Sequence, residues 1–244
     1  KQAMHSAKES FRVDIDSGFQ IIHIDPSIDI HAQINVEQVL ERIYELYDFC
    51  WQYAQQKKRD IIFEIGTEEQ SGNGNNIDEL VYVLESMKKF CIKNKFPFPS
   101  FIVIQAGTKV METRNIGSFD SPIRYKNELP PEIQIPRIID ICNKYGIFMK
   151  SHNTDYLSAD SLLWQPRLGI HSANVAPEFG VKETMSFVKA LKDADHNDLL
   201  DKFIQISYDS EKWKKWMMKD SKANNYDKAI IAGHYIFSSD AFIE

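Results

Sequence analysis

Cysteine is scarce in this chain: Cys50, Cys91 and Cys142 are odd in number and far apart. That pattern excludes a disulfide framework and a zinc cluster. Cys50 and Cys91 fall on the apolar faces of expected helices and read as reduced core thiols. No apolar run approaches the ~20 residues that a membrane span needs. No signal-peptide pattern opens the chain either, so a cytoplasmic protein is expected. The formal net charge is −6 and no Lys/Arg stripe stands out, which argues against a nucleic-acid or anionic-membrane surface. There is no short-period repeat and no linker.

What is present is core material. Hydrophobic residues make up 43% of the 244 residues, with 15 Phe, 10 Tyr and 4 Trp. That suits one large domain, and an α/β barrel runs to ~250 residues. The chain opens at Lys1, not Met, inside what reads as a helix. The expectation is that N-terminal residues of the natural protein precede it.

Short β-rich runs alternate with amphipathic helices. Residues 1–16 read as a helix broken at Ser17-Gly18, and Phe19–Asp25 as a strand. Val36, Leu40, Ile43, Tyr47, Cys50 and Ala54 keep the i, i+3/i+4 spacing of one buried helix face, with Asn35 as N-cap. Asp60–Gly66 reads as the second strand. A polar loop, 70–76, leads to a helix with Leu80, Leu84, Met87 and Cys91 inward. Phe101–Gln105 is the third strand. A long loop (107–131) follows, and then a helix with Ile135, Ile138, Ile139 and Cys142 inward, ended by Gly146. Ile147–His152 and Leu168–Ala173 read as the fourth and fifth strands, with a short helix at 158–164 between them. A helix covers 178–192, the tail from 197 is mostly helical, and Ala229–Phe237 is ambiguous between helix and strand. Five strands alternating with helices imply a parallel sheet, and nothing suggests an antiparallel hairpin. A doubly wound open sheet is the competing architecture.

In both architectures chemistry sits at the carboxyl ends of the strands. The five ends are polar: His23-Ile-Asp25, Glu64-Ile-Gly-Thr-Glu68, Gln105-Ala-Gly-Thr-Lys109, Lys150-Ser-His-Asn-Thr-Asp155 and His171-Ser-Ala-Asn174. Strand side chains alternate faces, so His23 and Asp25 share one face, as do Lys150 and His152. If Ile22 and Ile24 face the helices, His23 and Asp25 point the other way. Convergent His, Asp, Glu and Asn suit a divalent metal or acid–base work on a sugar. Each also has a plain reading: a hydrogen-bonded strand-end histidine, a Glu64–Lys150 salt bridge, or a helix cap for Asp155. Recurrence at five ends favours function. The Gly/Asn loop at 70–76 could cradle a phosphate through backbone N–H groups, although a simple turn fits its lack of Walker spacing.

At these motifs the chain resembles the class II ketose-bisphosphate aldolases, in particular the non-catalytic subunit family of class II D-tagatose-1,6-bisphosphate aldolase. The segments are 19–27, 64–72, 101–109, 147–157 and 168–183. The family's HxD, IGTE and H-S-T-D-Y strands stand here as His23-Ile-Asp25, Ile65-Gly-Thr-Glu68 and His152-Asn-Thr-Asp-Tyr156. The resemblance covers residues 1–190 and, loosely, Trp213 and Tyr226-Asp227. It implies a (β/α)8 TIM barrel whose first three strands lie before Lys1, so that residues 1–244 form one barrel domain fragment with a helical tail.

The resemblance implies roles for His152, Gly107, Thr108 and Asn174, and the polar strand ends suggest the others. His152 would be a metal ligand, with Asp25, His171 and His23 as its companions and zinc as the expected ion. Glu64, Glu68 and Asp155 would be the catalytic carboxylates. Gln105, Gly107, Thr108, Lys150 and Asn174 would bind substrate. Val110 replaces the second zinc histidine of catalytic members, Pro177 their phosphate-binding threonine, and Asn153-Thr154 the glycines after the metal histidine. These departures argue against standard zinc-assisted aldol cleavage. The expectation is a sugar-phosphate protein: an oligomeric accessory or carbohydrate-binding partner of a catalytic class II aldolase subunit. The alternatives are an autonomous metal-dependent ketose-phosphate aldolase or epimerase, and a non-enzymatic structural or binding protein.

Overall fold

The computed structural model describes residues 2–27, 34–66, 77–105, 107–120 and 130–243. In chain order these form α1 (Gln2–Ser17), β1 (Ile21–Ile24), α2 (Val36–Lys57), β2 (Ile62–Gly66), α3 (Ile77–Asn94), β3 (Phe101–Ile104), β4 (Val110–Met111), β5 (Arg114–Asn115), α4 (Pro131–Tyr145), β6 (Phe148–Ser151), α5 (Ala159–Arg167), β7 (Ser172–Ala173), α6 (Pro177–Asp193), α7 (Asn197–Asp209), α8 (Asn225–Ala232) and α9 (Asp240–Ile243). Contacts group them into two units. The first comprises Lys1–Gly107, Arg124–His152 and Leu163–Ala173; the second comprises Thr108–Ile123, Asn153–Leu162 and Asn174–Glu244.

The first unit is a five-stranded parallel sheet in the order β1-β2-β3-β6-β7. The order follows the chain with no reversal. A doubly wound sheet turns back in strand order at a switch point, and the described strands contain no such reversal. The register puts Ile22, Phe63, Ile65, Ile102, Ile104 and Met149 on one face, and all are buried. Ile21, Ile62 and Phe148 on the other face stay 41–51% exposed. The first face is the helix side: α2 and α1 pack on β1, α4 packs on β6, and α1 to α4 each pack on the next. At its centre the Tyr47 ring stacks on Phe63 with centroids 3.7 Å apart, and its hydroxyl donates to Pro97 O at 2.8 Å.

Local signals explain the element ends. Asn35 accepts from Gln38 N while the Gln38 side chain accepts from Asn35 N, a capping box that starts α2. Gly146 ends α4 at φ 67, a left-handed conformation that costs glycine nothing. Cys50, Cys91 and Cys142 sit buried and unpaired on α2, α3 and α4, and burial pushes their thiols up to about 12, 11 and 12. Among the described residues no helix is long and apolar enough to cross a membrane.

The second unit is mainly helical. Val181 and Val188 of α6, Leu200 and Phe203 of α7, and Ile230 of α8 share a core with Phe187, Phe237 and Phe242. Ala229–Phe237, ambiguous in sequence, is the end of α8 followed by a 3₁₀ turn at Gly233–Tyr235. The expectation of no hairpin was wrong: β4 and β5 pair antiparallel, Val110 with Asn115 and Met111 with Arg114. Strands of two residues carry no readable alternation, and Glu112-Thr113 is not an Asn-Gly type of turn signal.

Candidate active site

The sheet face opposite the helices carries the polar strand ends. His23 of β1 is in register with Glu64 of β2, and its Nδ1 lies 2.9 Å from Glu64 Oε1. Lys150 of β6 reaches the same carboxylate from beyond β3, with Nζ 3.1 and 2.8 Å from Oε1 and Oε2. On β3 between them, Phe101 stands in register with Glu64 and Val103 with Lys150. Glu64 is 3% exposed. Burial pushes its pKa up, but the hydrogen bonds from His23 and Lys150 and the lysine charge outweigh it and hold the carboxyl below its ordinary value. It is therefore ionised at neutral pH and serves as the hub between an imidazole and an ammonium group.

Beside this hub, His152 follows β6 and its backbone N–H donates to Ile104 O at 3.0 Å. Its Nδ1 lies 3.0 Å from Gln105 Oε1. An amide oxygen only accepts, so the Nδ1 proton sits in this bond and the lone pair is on Nε2. Burial holds the His152 pKa below its ordinary value; the Asp25 charge raises it and His23 lowers it further. The imidazole is thus neutral at pH 7 and fit to act as a base or a ligand. Asp25 Oδ1 accepts from Ser27 N at 3.0 Å, which fixes the carboxylate just past β1. Gly107 has φ 75 and turns the chain after β3.

The fold brings His23, Asp25, Glu64, Gln105, Lys150 and His152 to one sheet face. His171 stands apart from them. The fifth strand was expected over Leu168–Ala173 with the polar end His171-Ser-Ala-Asn174, but β7 is only Ser172–Ala173, and His171 precedes it at the level of Met149. Its ring lies 4.9 Å from that of Phe148, and its Nδ1 accepts from Met149 N at 3.3 Å. Glu68 and the loop at 70–76 lie outside the described residues. Among the described residues no group of three or more His, Cys, Asp or Glu is placed to hold a metal ion.

Thr108, Asp155 and Asn174 belong to the second unit. Thr108 is 1% exposed. Asp155 Oδ1 accepts from Ala176 N at 2.9 Å and from Glu178 N at 2.8 Å. It caps α6, whose own N-cap residue, Ala176, has no capping side chain, and not the short helix that follows it in sequence. Burial raises the Asp155 pKa, partly offset by those backbone bonds, and Glu178 adds to the rise. Asn174 Oδ1 accepts from Asn153 N at 2.8 Å, and Asn174 O accepts from Thr154 Oγ1 at 2.7 Å. One organiser has no sequence signal at all. Asn115 accepts from Lys109 N and Gly117 N and donates to Asn153 O and Asp155 O, which ties the hairpin to the segment after His152. Asparagine in a polar loop is too common to mark such a hub.

No family model matches the chain, and no curated protein matches it. Solved structures do. A probable tagatose 6 phosphate kinase from Sinorhizobium meliloti 1021 superposes with a TM-score of 0.67 at 15% identity, covering 99% of this chain and 62% of that one. Fructuronate-tagaturonate epimerase UxaE from Cohnella laeviribosi, complexed with two glycerols, gives a TM-score of 0.58 at 13% identity, covering 93% of this chain and 57% of that one. Likeness at such identities is likeness of fold. The chain spans less than two thirds of the length of either structure.

Proposed function

We propose that the chain is part of a (β/α)8 barrel that handles sugar phosphates of the tagatose type, with the face bearing His23, Glu64, Lys150 and His152 as its sugar-binding surface. The observation that carries this reading is the hub itself. A buried carboxylate holds a lysine and a histidine at the carboxyl end of a parallel sheet, beside a neutral histidine with its lone pair on Nε2. In this reading Lys150 offers N–H donors to hydroxyl or phosphoryl oxygens and Glu64 orients it. His152 moves a proton or accepts one from a sugar hydroxyl. Closure by further strands would cover Ile21, Ile62 and Phe148. No step is routed through a metal. The tagatose 6 phosphate of the one similar structure and the fructuronate and tagaturonate of the other agree with a tagatose-like substrate, the first with a phosphorylated one.

Two roles fit. As an accessory subunit the chain would bind sugar phosphate and a catalytic class II aldolase, as the resemblance implies. As an epimerase it would use His152 as a base; the Nε2 lone pair and the depressed pKa favour this second reading. Calorimetry with tagatose 1,6-bisphosphate and tagatose 6-phosphate tests the shared claim. Saturable binding that falls at least tenfold in Lys150→Met supports it, and binding indifferent to Lys150 removes the hub from the site. Turnover by the chain alone, lost in His152→Gln, selects the enzyme; co-purification with an aldolase without turnover selects the accessory role.

A further inference from the structure

The second unit holds a cavity of about 1120 Å³ that is separate in composition from the sheet-face cluster. Its apolar wall comes from Met185 and Val188 of α6 and Ile230 and Ile231 of α8. The volume is that of a generous small-molecule pocket. Among its polar lining residues are Glu112 from the β4–β5 turn and Tyr156 from the segment after β6.

These two residues share unusual features. Glu112 Oε1 and the Tyr156 hydroxyl are buried with no hydrogen-bond partner among the described residues. Buried polar atoms are nearly always paired, so each orphan calls for a partner from outside the chain. Both residues also hold left-handed backbone, φ 56 for Glu112 and φ 58 for Tyr156. A two-residue hairpin turn at that φ favours Gly, Asn or Asp; a glutamate there gives up backbone comfort for its side chain. The surroundings fix both side chains. Glu112 N donates to Trp216 O at 2.8 Å and Glu112 Oε2 lies 3.5 Å from Arg114, which leaves Oε1 over. Tyr156 N donates to Glu178 Oε2 at 2.7 Å.

We infer that this cavity is a second ligand site, for a neutral hydroxylated molecule with an apolar body. A hydroxyl both donates and accepts, so a polyol head satisfies a carboxylate acceptor and a phenolic donor alike, while the aliphatic wall takes the body. Charge is not the selecting feature. Five cationic and four acidic side chains line the cavity, so their fields nearly cancel. This site stands or falls independently of the sugar-phosphate reading of the sheet face.

Three probes share one apolar body and differ in the head: n-octyl β-glucoside, octanoate and octylammonium. They are titrated into the full chain by calorimetry below their micelle concentrations. The glucoside binds saturably, one per chain, and at least fivefold tighter than either ion. Tyr156→Phe and Glu112→Ala each weaken it at least fivefold, and Met185→Trp, which fills the cavity from a half-exposed position, abolishes it. Circular dichroism melts identify any variant that fails to fold, and the remaining variants then decide. Absence of saturable glucoside binding, equal binding of either ion, or glucoside binding that survives Met185→Trp overturns the inference. Lys150→Met leaves glucoside binding unchanged, which separates this site from the sheet face.

Discussion

The Glu64 hub and the Glu112–Tyr156 pair treat buried polar groups in opposite ways. At the hub Glu64 lies between His23 and Lys150, and beside it His152 is held by Gln105. In the helical unit Glu112 Oε1 and the Tyr156 hydroxyl are left without partners on strained backbone. A satisfied network holds one geometry and resists change. An unsatisfied one is a standing demand for something that binds. The difference teaches where to expect precise positioning and where to expect occupancy.

Substitutions can break or sharpen this contrast. The largest loss is expected beneath the sheet, where Phe63→Ala removes the ring that stacks on Tyr47. About 3–5 kcal/mol of unfolding free energy should disappear, read from urea denaturation. Lys150→Met strands the Glu64 carboxylate in a site where it is 3% exposed. A one-sided break of a buried pair costs about 3–5 kcal/mol, and the partial exposure of Lys150 brings the expectation to about 2–3 kcal/mol. A neutral result would show that the hub is loosely held and would erase the contrast. Asp155→Ala takes away the cap of α6 and should cost about 1–2 kcal/mol.

Acidification tests the same network. Glu64 is held below its ordinary 4.5 and His152 below its ordinary 6.5. Both pKa values are lower folded than unfolded, so the unfolded chain takes up protons first as pH falls. Stability from these groups is complete above pH 6.5. It is then lost as pH drops, first through the His152 window and then, below pH 4.5, through that of Glu64. Urea midpoints across a pH series should show both losses, and His152→Gln should shrink only the upper one, which His234, also depressed by burial, shares.

The smallest effect has the opposite sign. Glu112→Gly relieves a left-handed penalty of about 1–2 kcal/mol and adds glycine entropy of about 0.5–1, so a net gain near 0.5 kcal/mol is expected from thermal melts. A loss instead would mean that the Glu112 side chain already has a stabilising role without ligand.

Much of the sheet was legible because its signals are local. Asn35 and Gly146 mark helix ends by chemistry that needs only neighbouring residues. The alternation of Ile22 and Ile24 with His23 assigns faces directly, and the chain-order sheet follows from strand–helix alternation. The strand bounds around His171 differ for a physical reason: β7 is two residues long, too short for a period to locate its ends. The Asp155 cap was foreseen in kind but joined to the wrong helix, since its partners lie some twenty residues on, at Ala176 and Glu178. The cavity was illegible for the same reason. Its wall is assembled from α6, α8 and a hairpin turn, and the φ of Glu112 leaves no trace in composition.

The three thiols carry a practical consequence. Cys50, Cys91 and Cys142 are each locked under successive helices of the same layer, with pKa values of about 12, 11 and 12. A thiol so placed is almost never a thiolate at neutral pH, so alkylating reagents must wait for the helix above it to lift. The labelling rate of each cysteine, resolved by mass spectrometry, is thus a separate clock for one helix. Three clocks on α2, α3 and α4 would report whether that layer opens as a whole or peels away piece by piece.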